Sequence, residues 1–101
     1  MFDNYKDMYT IVFDLDIEKL KTNYPNDSYE NFYTQIQKEL EKFGFKRQQD
    51  SVYYGDREKV SAVTCVLAIQ SLSKKYSWFK PSVKDIRMLR IVDNDDLSMV
   101  L

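Results

Sequence analysis

The 101-residue sequence contains no histidine, one cysteine (Cys65), two glycines and two prolines. Each scarcity removes a class of chemistry or structure. Without histidine, Ser-His-Asp and Cys-His nucleophilic catalysis are excluded. The acid–base groups that remain are carboxylates, lysine and tyrosine. One cysteine forms no intramolecular disulfide, and without histidine it makes no ordinary zinc site. Long apolar runs are missing too: none approaches the ~20 residues of a membrane span. The segment Met1 to Lys6 carries Asp3 and no apolar core, so it does not read as a signal peptide. The expected location is the cytoplasm, with no membrane partner. Neither sign of charge dominates, with 15 basic against 16 acidic side chains and a net charge of −1. Any phosphate binding must therefore come from a local, salt-sensitive cluster.

What is abundant is core material. Hydrophobic residues make up 44% and aromatic residues 15% of the chain, enough for one packed domain. Residues 1–7 read as an N-terminal extension and residues 8–101 as a single domain. Met8-Tyr9-Thr10-Ile11-Val12-Phe13 is a continuous apolar run of strand length, fit for a strand buried on both faces. It ends at Asp14, before a short helical turn over 15–20 that stops near Tyr24-Pro25. Asp27 with Glu30 is a capping-box pattern. From Tyr29 to Phe43, Phe32, Tyr33, Ile36 and Leu40 form a helical stripe, with Gln35, Lys38, Glu39 and Lys42 expected to point outward.

Gly44 suits the end of that helix. Phe45 to Gln48 and Ser51 to Tyr54 read as the two strands of a hairpin. Gly55-Asp56 suggests a second helix from about Arg57 to about Tyr76, with the stripe Ala62, Cys65, Val66, Ile69, Leu72 and Tyr76. Val63 and Leu67 widen it, which predicts deep burial. Trp78-Phe79 forms an aromatic plug with Pro81 as a breaker, and Val83 to Val92 is the last long strand. The apolar end Leu97 to Leu101 is a possible extra strand.

The order is β-α-β-β-α-β. This is an α+β, ferredoxin-like pattern: a four-stranded antiparallel sheet with both helices on one face. An apolar first strand needs cover on its second face. A second copy of the chain, as a homodimer, is the expected cover.

The strand ending Ile11-Val12-Phe13-Asp14-Leu15 resembles the opening of the virulence-associated protein D family. So do Gly44-Phe45 with Gln49-x-Ser51-Val52-Tyr53, and Trp78-Phe79 followed by Ser82-Val83-Lys84-Asp85-Ile86-Arg87. The resemblance runs from Met8 to about Asp93, and the family is similar in fold to the small CRISPR-associated adaptation subunit. It implies a dimeric endoribonuclease that cleaves single-stranded or messenger RNA. It also implies the toxin of a toxin–antitoxin pair, with an antitoxin protein as partner.

Given that resemblance, Asp14 and Ser51 are the candidate catalytic residues. Asp14 sits at the end of a central strand, where its carboxylate can hold Mg²⁺ or share a proton with a second carboxylate. The competing reading is a cap for the turn at 15–20. Ser51 can hydrogen-bond a phosphate or a 2′-hydroxyl, or simply serve a turn. Arg47, Tyr53 and Arg87 are the candidate substrate-binding residues. Lys46 and Arg47 point to opposite faces, as do Arg87 and Arg90, so each pair offers one cation to a given site. Mg²⁺ is the single cofactor considered. Two cleavage routes stay open: metal-assisted hydrolysis leaving a 5′-phosphate, and 2′-hydroxyl attack leaving a 2′,3′-cyclic end. The alternative to an enzyme is a non-catalytic nucleic-acid-binding or scaffold dimer of the same fold.

Overall fold

A computed structural model describes residues 7–25 and 28–101. The chain forms β1 (Met8–Leu15), α1 (Ile17–Asn23), α2 (Phe32–Glu41), β2 (Phe45–Gln49), β3 (Val52–Gly55), α3 (Ala62–Lys75), α4 (Phe79–Ser82) and β4 (Val83–Ile91). The four strands make one antiparallel sheet in the order β2-β3-β1-β4, with α2 and α3 as the two main helices. This is the expected α+β, βαββαβ arrangement, with two short helices added. The Asp27 capping box lies outside the described residues.

The period-two alternation of β1 separates two faces. Ile11, Phe13 and Leu15 enter the main core with Phe32, Ile36, Leu40, Tyr53, Cys65, Ala68 and Leu72. Met8, Thr10, Val12 and Asp14 lie on the opposite face. There Met8 and Thr10 are buried, Val12 is half-buried and Asp14 is exposed. β4 pairs along the whole of β1, so Ile91, Leu89, Arg87 and Asp85 share that open face. The aromatic plug is real. Trp78 and Phe79 are buried, and Trp78 packs on Tyr24 and Tyr76 with ring centroids 5.1 and 5.2 Å away.

Both glycines are dictated by geometry at the hairpin base. Gly44 has φ +96°, a left-handed conformation that favours glycine. A Cβ on Gly55 would stand 2.7 Å from a Val60 methyl and 3.0 Å from the Tyr9 carbonyl oxygen, so no side chain fits there. Buried Val60 is the anchor that both glycines admit.

Several expectations need correction. β1 continues through Leu15, and the helical turn after it is α1, starting at Ile17. The second long helix begins at Ala62, not near Arg57. Asp56 caps only a single turn, accepting from the Glu58 N–H, while Val60 is pinned in the core. Ser61 and Thr64 then form the capping box that starts α3. The buried stripe of α3 is Cys65, Ala68 and Leu72. Its small members let the helix lie close to the sheet, which rotates Val63, Val66 and Leu67 outward to more than half exposure. Glu39 is buried rather than outward. It accepts from Ser71 Oγ at 2.7 Å, Lys75 Nζ at 3.1 Å and Lys42 Nζ at 3.2 Å, tying α2 to α3. No fifth strand forms among the described residues. After β4 the chain ends in a 3₁₀ turn at Ser98–Val100, held by local bonds such as Ser98 N–H to Asp96 Oδ1 at 2.8 Å. A strand needs a ladder partner, and among the described residues the tail has none.

Candidate active site

The open face carries a cluster at the C-terminal end of β1. Asp14 and Asp85 are cross-strand partners, and Val12 pairs with Arg87. Directly paired residues point to the same face with Cβ atoms ~5 Å apart. Asp14, Asp85 and Arg87 therefore stand together, and all three are exposed. The β1–β4 register shifts between Asp14 and Leu15: Leu15 faces Val83, which leaves Lys84 as the extra residue. Such bulges re-aim side chains next to functional sites. The bulge is held from beneath by the Asp16 N–H bonding the Ser82 carbonyl at 2.8 Å, and by buried Ser82 Oγ donating to the Trp78 carbonyl at 2.7 Å.

Asp16 settles the first ambiguity about Asp14. The Asp16 carboxylate is the N-cap of α1, accepting from Lys19 N–H at 3.1 Å. The capping work is done two residues away from Asp14. Among the described residues the Asp14 carboxylate has no hydrogen bond or ion pair. Asp85 is engaged: Arg87 Nε donates to both its oxygens, at 3.2 and 3.1 Å. That contact raises the pKa of the Arg87 guanidinium, so Arg87 stays charged at any working pH. Asp85 was not singled out from sequence. Its signal was present in the alternation of β4, which places it on the Arg87 face.

The remaining candidates separate by location. The Ser51 carbonyl accepts from Phe13 N–H at 3.2 Å, which sets half-buried Ser51 beside the residue preceding Asp14. Arg47 and Tyr53 are paired with each other and with Ile11 on the helix-facing side. Arg47 Nε donates to the Asp50 carbonyl at 2.8 Å, and its guanidinium lies 4.7 Å from the centre of the Tyr33 ring. Asp50 itself takes φ 33° at the tip of the hairpin, so the Asp50-Ser51 corner is a turn that Arg47 braces. Tyr53 is wholly buried and stacks on Phe13 at 5.9 Å. Burial pushes its phenol up to about 12. The structure brings Asp14 and Arg87 together, sets the Ser51 backbone beside Phe13 on the β3 side of β1, and places Arg47 and Tyr53 on the other face.

Mg²⁺ is commonly held by one or two carboxylates plus substrate phosphate oxygens, which the Asp14–Asp85 pair matches. No group of three or more metal-binding side chains occurs among the described residues. No described helix is long and apolar enough to cross a membrane.

A family model for CRISPR associated protein Cas2 matches residues 7–99. Endoribonuclease VapD 2 of Riemerella anatipestifer is 49% identical over 90 residues, covering 89% of this chain and 95% of that protein. The chain belongs to the VapD endoribonuclease family. A VapD endoribonuclease homolog of Helicobacter pylori is also 49% identical, over 89% of this chain and 92% of its own length. Endoribonuclease VapD of Dichelobacter nodosus is 40% identical over 93% of this chain and 97% of its own. Membership makes the chain an endoribonuclease by class, on a Cas2-like fold. The Asp14 cluster lies inside residues 7–99, which the family model matches.

Proposed function

We propose that this VapD family member cleaves single-stranded messenger RNA at the Asp14–Asp85–Arg87 cluster. The observation that carries the assignment is the division of labour among neighbouring acids. Asp16 caps α1 and Asp85 grips Arg87, which leaves Asp14 as the exposed carboxylate with no protein partner in the cluster. With no histidine in the chain, carboxylates, lysine and tyrosine are left to handle the proton of the attacking group, and in this cluster the group at hand is the Asp14 carboxylate. Asp14 accepts that proton. Arg87, oriented by Asp85, presents its planar fork to the non-bridging phosphate oxygens and offsets charge as it builds there. Ser51 contributes a hydroxyl contact to the phosphate or the 2′-hydroxyl. Mg²⁺ held by Asp14 and Asp85 would supply Lewis-acid polarisation of the scissile phosphate.

The working unit in this reading is a homodimer in the cytoplasm, a toxin held in check by an antitoxin protein. β4 is an edge strand, and the apolar tail residues Leu97, Met99, Val100 and Leu101 are each more than two-thirds exposed. A tail of this kind has a natural partner in the β4 edge of a second copy. The toxin role rests on the family resemblance.

A defined RNA incubated with and without EDTA, with the product termini identified, tests the reading. A 5′-phosphate end that disappears with EDTA supports a carboxylate-held metal. A 2′,3′-cyclic end that survives EDTA supports Asp14 as a proton acceptor alone. Tight RNA binding with no cleavage under any divalent metal would contradict the enzyme and favour the non-catalytic scaffold.

A further inference from the structure

The helix-facing side of the sheet carries a groove that the cleavage cluster leaves unused. β4 is an edge strand. Ile86 and Met88 pair with Phe13 and Ile11, so they share the helix-facing side of the sheet. Between them and α3 runs a groove of about 630 Å³, with Ile69, Phe79, Val83 and Ile86 below and exposed Lys74 and Lys80 at the rim. A smaller hollow of about 210 Å³ shares Ile69 and Ile86 and carries the groove on to Val66 and Met88. On the helix wall Val66, Ile69, Gln70 and Ser73 fall at i, i+3, i+4 and i+7. The groove therefore follows one side of α3 for two turns, ~11 Å.

The charge around this groove has one sign. From Ser61 to Lys84 the chain has no acidic residue and four lysines, at positions 74, 75, 80 and 84. Lys75 is spent on Glu39 at 3.1 Å. Lys74 and Lys80 line the groove and make no ion pair among the described residues.

We propose that the groove docks an amphipathic, acidic α-helix of a partner protein. The apolar stripe of that helix covers Ile69, Val83 and Ile86, with Val66 and Met88 at one end. Carboxylates beside the stripe meet Lys74 and Lys80. The same lysines turn basic segments away through like-charge repulsion. Side chains, not free ladder groups, line the groove, which suits a helix laid into it. RNA fits it less well. The floor is mostly aliphatic, and the Phe79 ring is 1% exposed, so no base stacks on it. A membrane surface is flat where this groove is concave. The chain's own apolar tail, residues 97–101, is under two turns long and does not span it. The groove lies on the face opposite Asp14, so an occupant leaves the cleavage cluster open, and the proposal stands apart from the endoribonuclease reading.

The probe is a synthetic helix of about 18 residues with leucine at i, i+3 and i+7 and glutamate on both flanks. It is titrated into isotope-labelled protein while backbone amide shifts are followed by NMR. Saturable shifts are expected in α3 and residues 79–88, with a Kd below about 100 µM. The double substitution Lys74→Glu with Lys80→Glu, at two exposed positions, is expected to keep the wild-type melt and RNA cleavage rate. It is expected to raise Kd about tenfold and to bind a lysine-flanked peptide that wild type rejects. A peptide with alanine in place of leucine is expected not to bind. No saturable shift up to about 1 mM, or an unchanged Kd after the charge reversal, would overturn the docking site and leave the nuclease intact. The same amides may be offered a peptide of residues 93–101, an RNA oligonucleotide or phosphatidylglycerol vesicles; a response to one of these in place of the acidic helix would overturn the partner-helix assignment. A protein that docks the acidic helix but cleaves no RNA would overturn the cleavage reading alone.

Discussion

Asp14 and Asp16 stand two residues apart at the end of one strand and do different work. Asp16 is spent on a helix cap. Asp14 is left beside Asp85 and Arg87 on an open surface. Sequence alone left a cap open as the role of Asp14, because capping depends on where the helix starts and a helix boundary is uncertain by a residue or two. The structure moves the start to Ile17, and the ambiguity disappears. Tyr53 shows the opposite case. It lies in a family motif, which suggested contact with RNA, but period-two alternation from Ile11 carries it into the core. Among the described residues its hydroxyl has no hydrogen-bond partner. Deleting an unsatisfied buried hydroxyl removes a desolvation cost. Tyr53→Phe is therefore expected to keep cleavage within about twofold and to leave stability unchanged or slightly raised. Parallel activity assays and thermal melts check this. A large loss of kcat in a folded Tyr53→Phe protein would return the phenol to the site.

At the scale of elements, α2 and α3 are joined through Glu39. Its carboxyl is held well below the usual range, at about 2, chiefly by the Ser71 hydroxyl, with Lys75 and Lys42 assisting against the effect of burial. A carboxyl lowered by folding contributes stability that is present above its unfolded pKa near 4.5 and is lost as pH falls toward 2. Acid melting of the wild type should therefore steepen below pH 4.5, and Glu39→Gln should flatten that limb. At neutral pH the same substitution is expected to cost about 1 kcal/mol, because both lysines are half-exposed and screened by water. Melting curves across pH for the two proteins decide the matter; identical acid limbs would contradict it. Periodicity could not have shown this link. Glu39 falls on the polar side of the α2 stripe, and only the approach of α3 encloses it. The same approach explains why Val63, Val66 and Leu67 are exposed: small Cys65 and Ala68 set the contact, and apolar character alone does not say which side of a helix touches the sheet.

For the molecule as a whole, the element order and the four-stranded antiparallel sheet were legible because the apolar runs, the two glycines and the aromatic plug punctuate the chain. The cluster was half legible. Asp14 and Arg87 could be named in advance, but Asp85 required the β1–β4 register, which sets it opposite Asp14. The tail was read as a possible extra strand from its composition, and it forms a 3₁₀ turn held by local bonds, with no ladder partner among the described residues. Removing residues 97–101 is expected to shift the protein from dimer to monomer in sedimentation experiments while leaving its circular dichroism unchanged. A truncated protein that remains dimeric would place the interface elsewhere. The central claim is that Asp14 carries the chemistry. Its most direct test is the single-turnover cleavage rate of a labelled RNA by Asp14→Asn at saturating enzyme. Because Asp14 is exposed and its carboxylate is bonded to none of the described residues, the variant should melt with the wild type and bind RNA as well, while its rate falls at least about a hundredfold. A folded Asp14→Asn protein that cleaves at the wild-type rate would contradict the account.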